Sequence, residues 1–258
     1  MAGKTLVLDS RWLAGQDPND LTVRLKEEIS GVEGMRIIFA GIPCTFYNIS
    51  QDLGNNNILI HDSTAWKYVN MPDGFYDIKT FAKQFSTQLK KMGLPPRAIN
   101  FDLDETTGKI AISYRRQKGN TFKLSVRSYN NDLLGFDIPP NTGLELPRRS
   151  RGGSYEDVSI GDRPANFKPF EYFHIHCDLV NTDDILYNGE RSNLLVRIPV
   201  KECTFGDLLP YYLTGLRDRK CTEKFNKIRI WVTDEHSRPI NFNGADIQYE
   251  LLFKRELR

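Results

Sequence analysis

The stretch Phe101-Asp102-Leu103-Asp104-Glu105-Thr106 holds the residues best suited to chemistry, two aspartates two positions apart with a threonine two further on. In such a D-x-D-x-T arrangement Asp102 could serve as nucleophile and Mg²⁺ ligand, and Asp104 could protonate the leaving group of a phosphate ester. That chemistry needs both carboxylates at the carboxyl end of a buried parallel strand over a sheet covered by helices. Here Ile99, Phe101 and Leu103 alternate with Asn100, Asp102 and Asp104, which puts both carboxylates on the polar face of a strand. A turn at Glu105-Thr106-Thr107-Gly108 follows at once, then a second alternating strand, Ile110-x-Ile112-x-Tyr114. Asp183-Asp184 could stand as a distal acidic pair, but it falls in a loop with no helical context. The pattern therefore disfavours a Mg²⁺-dependent aspartyl phosphatase.

His174-x-His176 puts two imidazoles on one face of a strand, with Cys177 and Asp178 adjacent. A zinc site needs three or four converging ligands, and His61 and His236 have no matching partners in sequence. Packed or solvent-facing strand histidines are the simpler expectation, with a His/Cys site shared between subunits as the alternative. There is no H-E-x-x-H, P-loop, dinucleotide fingerprint or Ser-His-Asp arrangement. No catalytic, cofactor-binding or metal-ligating residue, and no cofactor, is expected.

Composition alone describes only a soluble, β-rich globular protein. Lys+Arg 35 against Asp+Glu 33 leaves a net charge of +2, too little for a global field toward nucleic acid. The basic clusters read as solvated loops and strand ends, with Arg148-Arg149-Ser150-Arg151, beside Gly152-Gly153, the best candidate for a real contact. The four cysteines, Cys44, Cys177, Cys203 and Cys221, are widely spaced with no C-x-x-C pair. With no signal-like start, they read as small buried thiols of a reduced intracellular protein. No apolar run is long enough to span a bilayer as a helix, so no membrane partner is expected.

The elements that must position these residues are mostly strands. Thr5–Leu8 and Leu21–Leu25 alternate, while Met35–Ile42 is a continuous apolar run, as in a strand covered on both faces. Further strands are expected at Ile58–Ile60, Trp66–Val69, Tyr172–Val180, Leu194–Val200, Lys227–Thr233 and Ile247–Lys254. One segment differs: Phe81, Phe85, Leu89 and Met92 recur at helical spacing and Gly93-Leu94-Pro95-Pro96 ends the helix. The strands after it, 99–103, 110–114 and 122–126, read as a three-stranded antiparallel meander, closed by Gly135-Phe136 as helix cap and core anchor. The expected fold is mostly β: a jelly-roll β-sandwich from residues 1–70 and 170–258, an inserted α+β unit at 71–136, and a Pro/Gly/Arg-rich linker at 137–169.

Several phrases resemble those of a known family. Asp9-Ser10-Arg11-Trp12, Leu21-Thr22-Val23-Arg24-Leu25 and Ile42-Pro43-Cys44-Thr45-Phe46-Tyr47-Asn48-Ile49 are similar to the opening of the minor capsid (penton) proteins of Polinton/Maverick elements, adintoviruses and virophages. The meander at 107–136 resembles that family too. Phe173-His174-Ile175-His176-Cys177-Asp178-Leu179-Val180 and Leu186-Tyr187-Asn188-Gly189 to Leu195 look like one of its strand pairs. Ile228 to Gly244 looks like its "V-T-D-x-x-G-R-P-I-D-F-N-G" phrase, with Ser237 where a turn glycine is usual. The resemblance implies a jelly-roll subunit, five copies closing each capsid vertex beside a double-jelly-roll major capsid protein. It implies a virion location, assembly in the host cytoplasm or nucleus, and nucleic-acid contact at most peripheral. A spike or receptor-binding β-sandwich is the alternative.

Overall fold

The computed structural model describes residues 3–61, 65–96, 99–115, 123–125, 133–136, 148–151, 154–180 and 193–255. The first strands are β1 (Gly3–Asp9), β2 (Asp20–Ile29), β3 (Val32–Pro43), β4 (Asn57–His61) and β5 (Trp66–Asn70), followed by helix α1 (Ile78–Lys91). Next come β6 (Ile99–Asp104), β7 (Lys109–Arg115), β8 (Lys123–Ser125), β9 (Arg148–Arg151) and β10 (Ser154–Ile160). The chain ends with β11 (Tyr172–Cys177), β12 (Leu194–Pro199), β13 (Leu208–Tyr212), β14 (Phe225–Thr233) and β15 (Gln248–Arg255). It divides into two compact units, Met1–Phe46 with Phe170–Arg258, and Tyr47–Pro169.

The first unit holds two four-stranded sheets, ordered β1-β15-β3-β13 and β12-β11-β14-β2, with antiparallel pairing throughout. Counted along this unit alone, its eight strands run 1-8-3-6 in one sheet and 2-7-4-5 in the other. Two interlocked Greek keys give that order, which is the jelly roll. β3, β14 and β15 all lie inside their sheets; on β3 Met35, Ile37, Ala40 and Ile42 are fully buried. β14 and β15 alternate instead, burying Ile228, Ile230 and Val232 on one and Tyr249, Leu251 and Phe253 on the other.

The second unit packs α1, a four-stranded sheet β6-β7-β10-β9 and a three-stranded sheet β5-β4-β8 around one core. Ile78, Phe81, Phe85 and Leu89 form the buried stripe of α1, with the Phe81 and Phe85 rings edge-on to Phe101 at 5.2 and 5.0 Å. Asp77 caps the helix: its carboxylate accepts from Thr80 N at 2.7 Å, and Thr80 Oγ1 accepts from Asp77 N at 2.9 Å. Gly93, at φ +73°, ends it.

Three expectations change here. The expected boundary at residue 70 lies at 46, because β4 and β5 pair with β8 inside the second unit. The expected meander keeps only its first hairpin, since β7 takes β10, not β8, as its other neighbour. The expected linker at 137–169 therefore supplies two paired strands, with Arg148–Arg151 on β9. The cysteine expectation fails as well. Cys44 and Cys203 form a disulfide with Cα atoms 6.4 Å apart, while Cys177 and Cys221 are free.

Candidate functional site

Asp102 and Asp104 lie on an antiparallel strand and not at the carboxyl end of a parallel one. Their strand β6 is the edge of an antiparallel sheet. Asp104 closes the β6–β7 hairpin, its Oδ1 accepting from Thr106 N at 2.9 Å and its Oδ2 from Thr107 Oγ1 at 2.8 Å. Those donors, the Thr107 hydroxyl foremost, hold its carboxyl below the usual range. Asp102 is exposed and lines a shallow polar cavity of about 370 Å³ with Lys83, Ser86, Asn100 and Ser113. Asp183-Asp184 lies outside the described residues.

The two strand histidines are packed. His176 Nε2 lies 2.9 Å from Thr233 Oγ1, and its ring stacks on Trp231 at 5.2 Å with an 8° interplanar angle. Burial, then the neighbouring His174, pushes His176 down to about 4. His174 is buried with neither ring nitrogen hydrogen-bonded among the described residues; burial lowers its pKa too, followed by the charge of Arg197. Cys177 faces the opposite way, its Sγ 4.0 Å from Met35 Sδ, and burial pushes its thiol up. Asp178 accepts from Arg229 N at 2.9 Å. His236 is exposed in the turn after β14. Among the described residues no group of three or more His, Cys, Asp or Glu could hold a metal ion.

The phrases that carry the family resemblance turn out to be buried polar hubs. Asp9 accepts from Arg11 N and Nε at 3.0 and 2.9 Å and from Gln248 Nε2 at 2.9 Å; the Arg11 guanidinium holds its carboxyl low. Ser10 Oγ donates to Asp246 at 2.7 Å and accepts from Ile247 N at 3.0 Å, so the end of β1 is tied to the start of β15. Asn48, fully buried, donates to Tyr76 O at 2.7 Å and Phe167 O at 2.8 Å and accepts from Tyr76 N at 2.8 Å. Asp234 accepts from His236 N and Arg238 N at 2.8 and 2.9 Å and pairs with Arg238 Nε at 2.6 Å. Ser237 sits in this turn at φ +63°, the left-handed conformation for which the family's glycine is suited.

In the first unit the exposed large hydrophobic side chains lie along or beside two edges of one sheet. β1, one edge of the β1-β15-β3-β13 sheet, exposes Val7, and the 3-10 turn that follows it exposes Trp12 by 67%. β13, the other edge, exposes Leu208 and Tyr212, the latter by 76%, with Phe205 exposed just before it. Trp12 and Tyr212 are the two most exposed large hydrophobic side chains among the described residues. β13 escaped the sequence reading because Pro210 sits at its centre. Proline is tolerated there because an edge strand leaves one side of its backbone unpaired. The alternation of exposed Leu208, Pro210 and Tyr212 with buried Leu209 and Tyr211 was the available signal.

Sheet order and insertion together define a jelly-roll β-sandwich interrupted, between its third and fourth strands, by an α+β unit. No protein-family model matches the chain, and no curated protein matches it. Among solved structures its fold is similar to that of the selenomethionine-labelled penton protein of mavirus, with a TM-score of 0.56 over 99% of this chain and 100% of that one. Sequence identity is 11%, so the likeness is one of fold. No helix among the described residues is long and apolar enough to cross a membrane.

Proposed function

We propose that the chain is a minor capsid (penton) subunit that closes in fives around a capsid vertex, beside a double-jelly-roll major capsid protein. The observation that carries this is the end-to-end fold likeness to the mavirus penton protein, insertion included. A closed ring needs two different, mutually complementary surfaces on each subunit. The sheet β1-β15-β3-β13 offers two, Val7 and Trp12 at one edge and Leu208 and Tyr212 at the other. Pro210 removes a backbone donor from β13, which favours contact through side chains over continuation of the sheet. The near-neutral charge fits a shell protein with at most peripheral genome contact, assembled in the host cytoplasm or nucleus into a virion. Asp102 has no role in this reading: Mg²⁺-dependent phosphatase activity that disappears in Asp102→Asn would overturn it.

The test is the mass of the purified protein in solution and its outline by electron microscopy. Pentameric rings are expected, and Trp12→Lys or Tyr212→Lys should each leave monomers, since a head-to-tail contact fails when either side is charged. A wild-type chain that is strictly monomeric, alone and with the major capsid protein, refutes the proposal. Exposed Trp66 and Tyr68 on β5, an edge strand of the second unit, favour a second reading, a receptor-binding module headed by that unit. Deleting 47–169 separates the two readings. The Phe46 and Phe170 rings are 4.9 Å apart, so a short Gly-rich linker bridges the gap. Rings from the deleted protein support the first reading, and loss of rings from a folded product moves the contacts to the second unit.

A further inference from the structure

The disulfide joins the end of β3 to the segment that leads into β13. Cys44 follows the last residue of β3, is fully buried, and donates its N–H to Asp207 O at 2.7 Å while its carbonyl accepts from Gly206 N at 2.8 Å. Cys203, half-buried, lies in the exposed segment 201–207 that leads into β13. Local ties also hold that segment: Thr204 N to Asp207 Oδ2 at 3.0 Å, Asp207 N to Thr204 O at 3.0 Å, and Lys201 N to the Tyr211 hydroxyl at 3.3 Å. β13 pairs with β3 alone, over Leu208 to Tyr212, while its Leu209 and Tyr211 side chains are buried and the Tyr211 ring meets Phe173. The S–S bond is therefore the covalent fastening of the edge that carries Leu208 and Tyr212.

We infer that the Cys44–Cys203 disulfide is a reversible clip that shapes the β13 edge for docking a second copy of this chain, and that small-molecule thiols release it. The inference rests on the ring-forming reading above. Cys203 is the more accessible sulfur, so a thiolate attacks its Sγ. The S–S bond breaks, its electron pair leaves on Cys44 Sγ, which takes up a proton, and a mixed disulfide remains on Cys203. A second thiolate attacks the outer sulfur of that mixed disulfide and frees the Cys203 thiol. Two small-molecule thiols are oxidised to a disulfide and one protein cystine is reduced; an oxidised small-molecule disulfide runs the exchange backwards. Once released, the 201–212 segment samples more conformations, and ordering it again on docking weakens association. A chain made in a reducing compartment would thus assemble loosely and tighten where thiols are scarce.

The experiment uses the full-length protein in glutathione disulfide or in dithiothreitol, with Cys44→Ser/Cys203→Ser as the unclipped control. Association is read by sedimentation and backbone opening by hydrogen exchange. Reduction should raise the concentration for half-assembly at least tenfold and speed exchange at 208–212, with 248–255 unchanged. The double variant should match the reduced wild type in both buffers; should it not fold, dithiothreitol added to the folded wild type gives the same comparison. Equal association and exchange in the two buffers overturns the inference, as does alkylation of four cysteines without reductant. A protein that never assembles refutes the ring reading, and the clip is then judged by exchange alone: faster at 208–212 on reduction sustains it, unchanged overturns it.

Discussion

Acidification should selectively loosen the jelly-roll unit, and His176 sets the size of the effect. Its imidazole is stacked on Trp231, hydrogen-bonded to Thr233 and depressed to about 4, against 6.5 for the free side chain. Between those two values the unfolded chain binds the proton and the folded one does not, so stability falls as pH falls from 6.5 toward 4 and this group adds nothing further below that. At pH 5 the unfolded imidazole is almost wholly charged and the folded one about one-tenth charged, a loss of ~2 kcal/mol relative to pH 7.5. His174 acts in the same direction. Arg197 opposes its charging, while Glu235 and Asp234 partly favour it. The assay is urea unfolding at pH 7.5 and 5.0 followed by Trp231 fluorescence, with Trp12 and Trp66 replaced by Phe. His176→Gln, which cannot titrate, should recover most of the difference between the two pH values. Equal losses in wild type and His176→Gln would show that the acid sensitivity lies elsewhere.

Three substitutions probe the folded framework directly. Ser237→Gly should stabilise the jelly-roll unit by about 0.5–1 kcal/mol in denaturant titration, because relief of the left-handed strain at φ +63° outweighs the extra glycine entropy. Gly135→Ala should destabilise the second unit by ~2 kcal/mol or more: φ is +74° and a Cβ would lie 2.2 Å from Arg163 O, a backbone atom. Asn48→Ala should cost about 3 kcal/mol, since the Tyr76 N–H and the Tyr76 and Phe167 carbonyls lose their partner together. Calorimetry of each variant checks the direction, and an unchanged transition for Gly135→Ala or Asn48→Ala would refute its geometry.

The jelly roll was legible because its strands obey period two, and α1 because Phe81, Phe85 and Leu89 recur on one face of a helix. Pairing was less legible. β7 accepts either neighbour as far as alternation goes, and the choice of β10 over β8 is made by tertiary packing that local pattern does not encode. β9 and β10 lay hidden in a proline- and glycine-rich stretch, and β13 behind Pro210, where composition argued for loop. Asp102 and Asp104 were placed on an antiparallel hairpin by alternation alone, as the structure has them, but the turn-closing bonds of Asp104 were not foreseen. Spacing could not reveal the Cys44–Cys203 bond, because the partners are 159 residues apart and meet only once β13 is laid against β3.

That bond also decides how the chain answers to mechanical load. Gly3 and Lys254 are paired neighbours on β1 and β15, so tension applied at the two ends peels these strands apart one rung at a time, the geometry of least resistance. Once the peel reaches Cys44 on one side and Cys203 on the other, force passes through the sulfur bridge and the chain between them is shielded. The entire inserted unit, together with β11 and β12, lies in that shielded stretch. In the oxidised state tension at the two ends can therefore unravel the outer strands without extending the insertion, whereas in the reduced state the load runs through all of it.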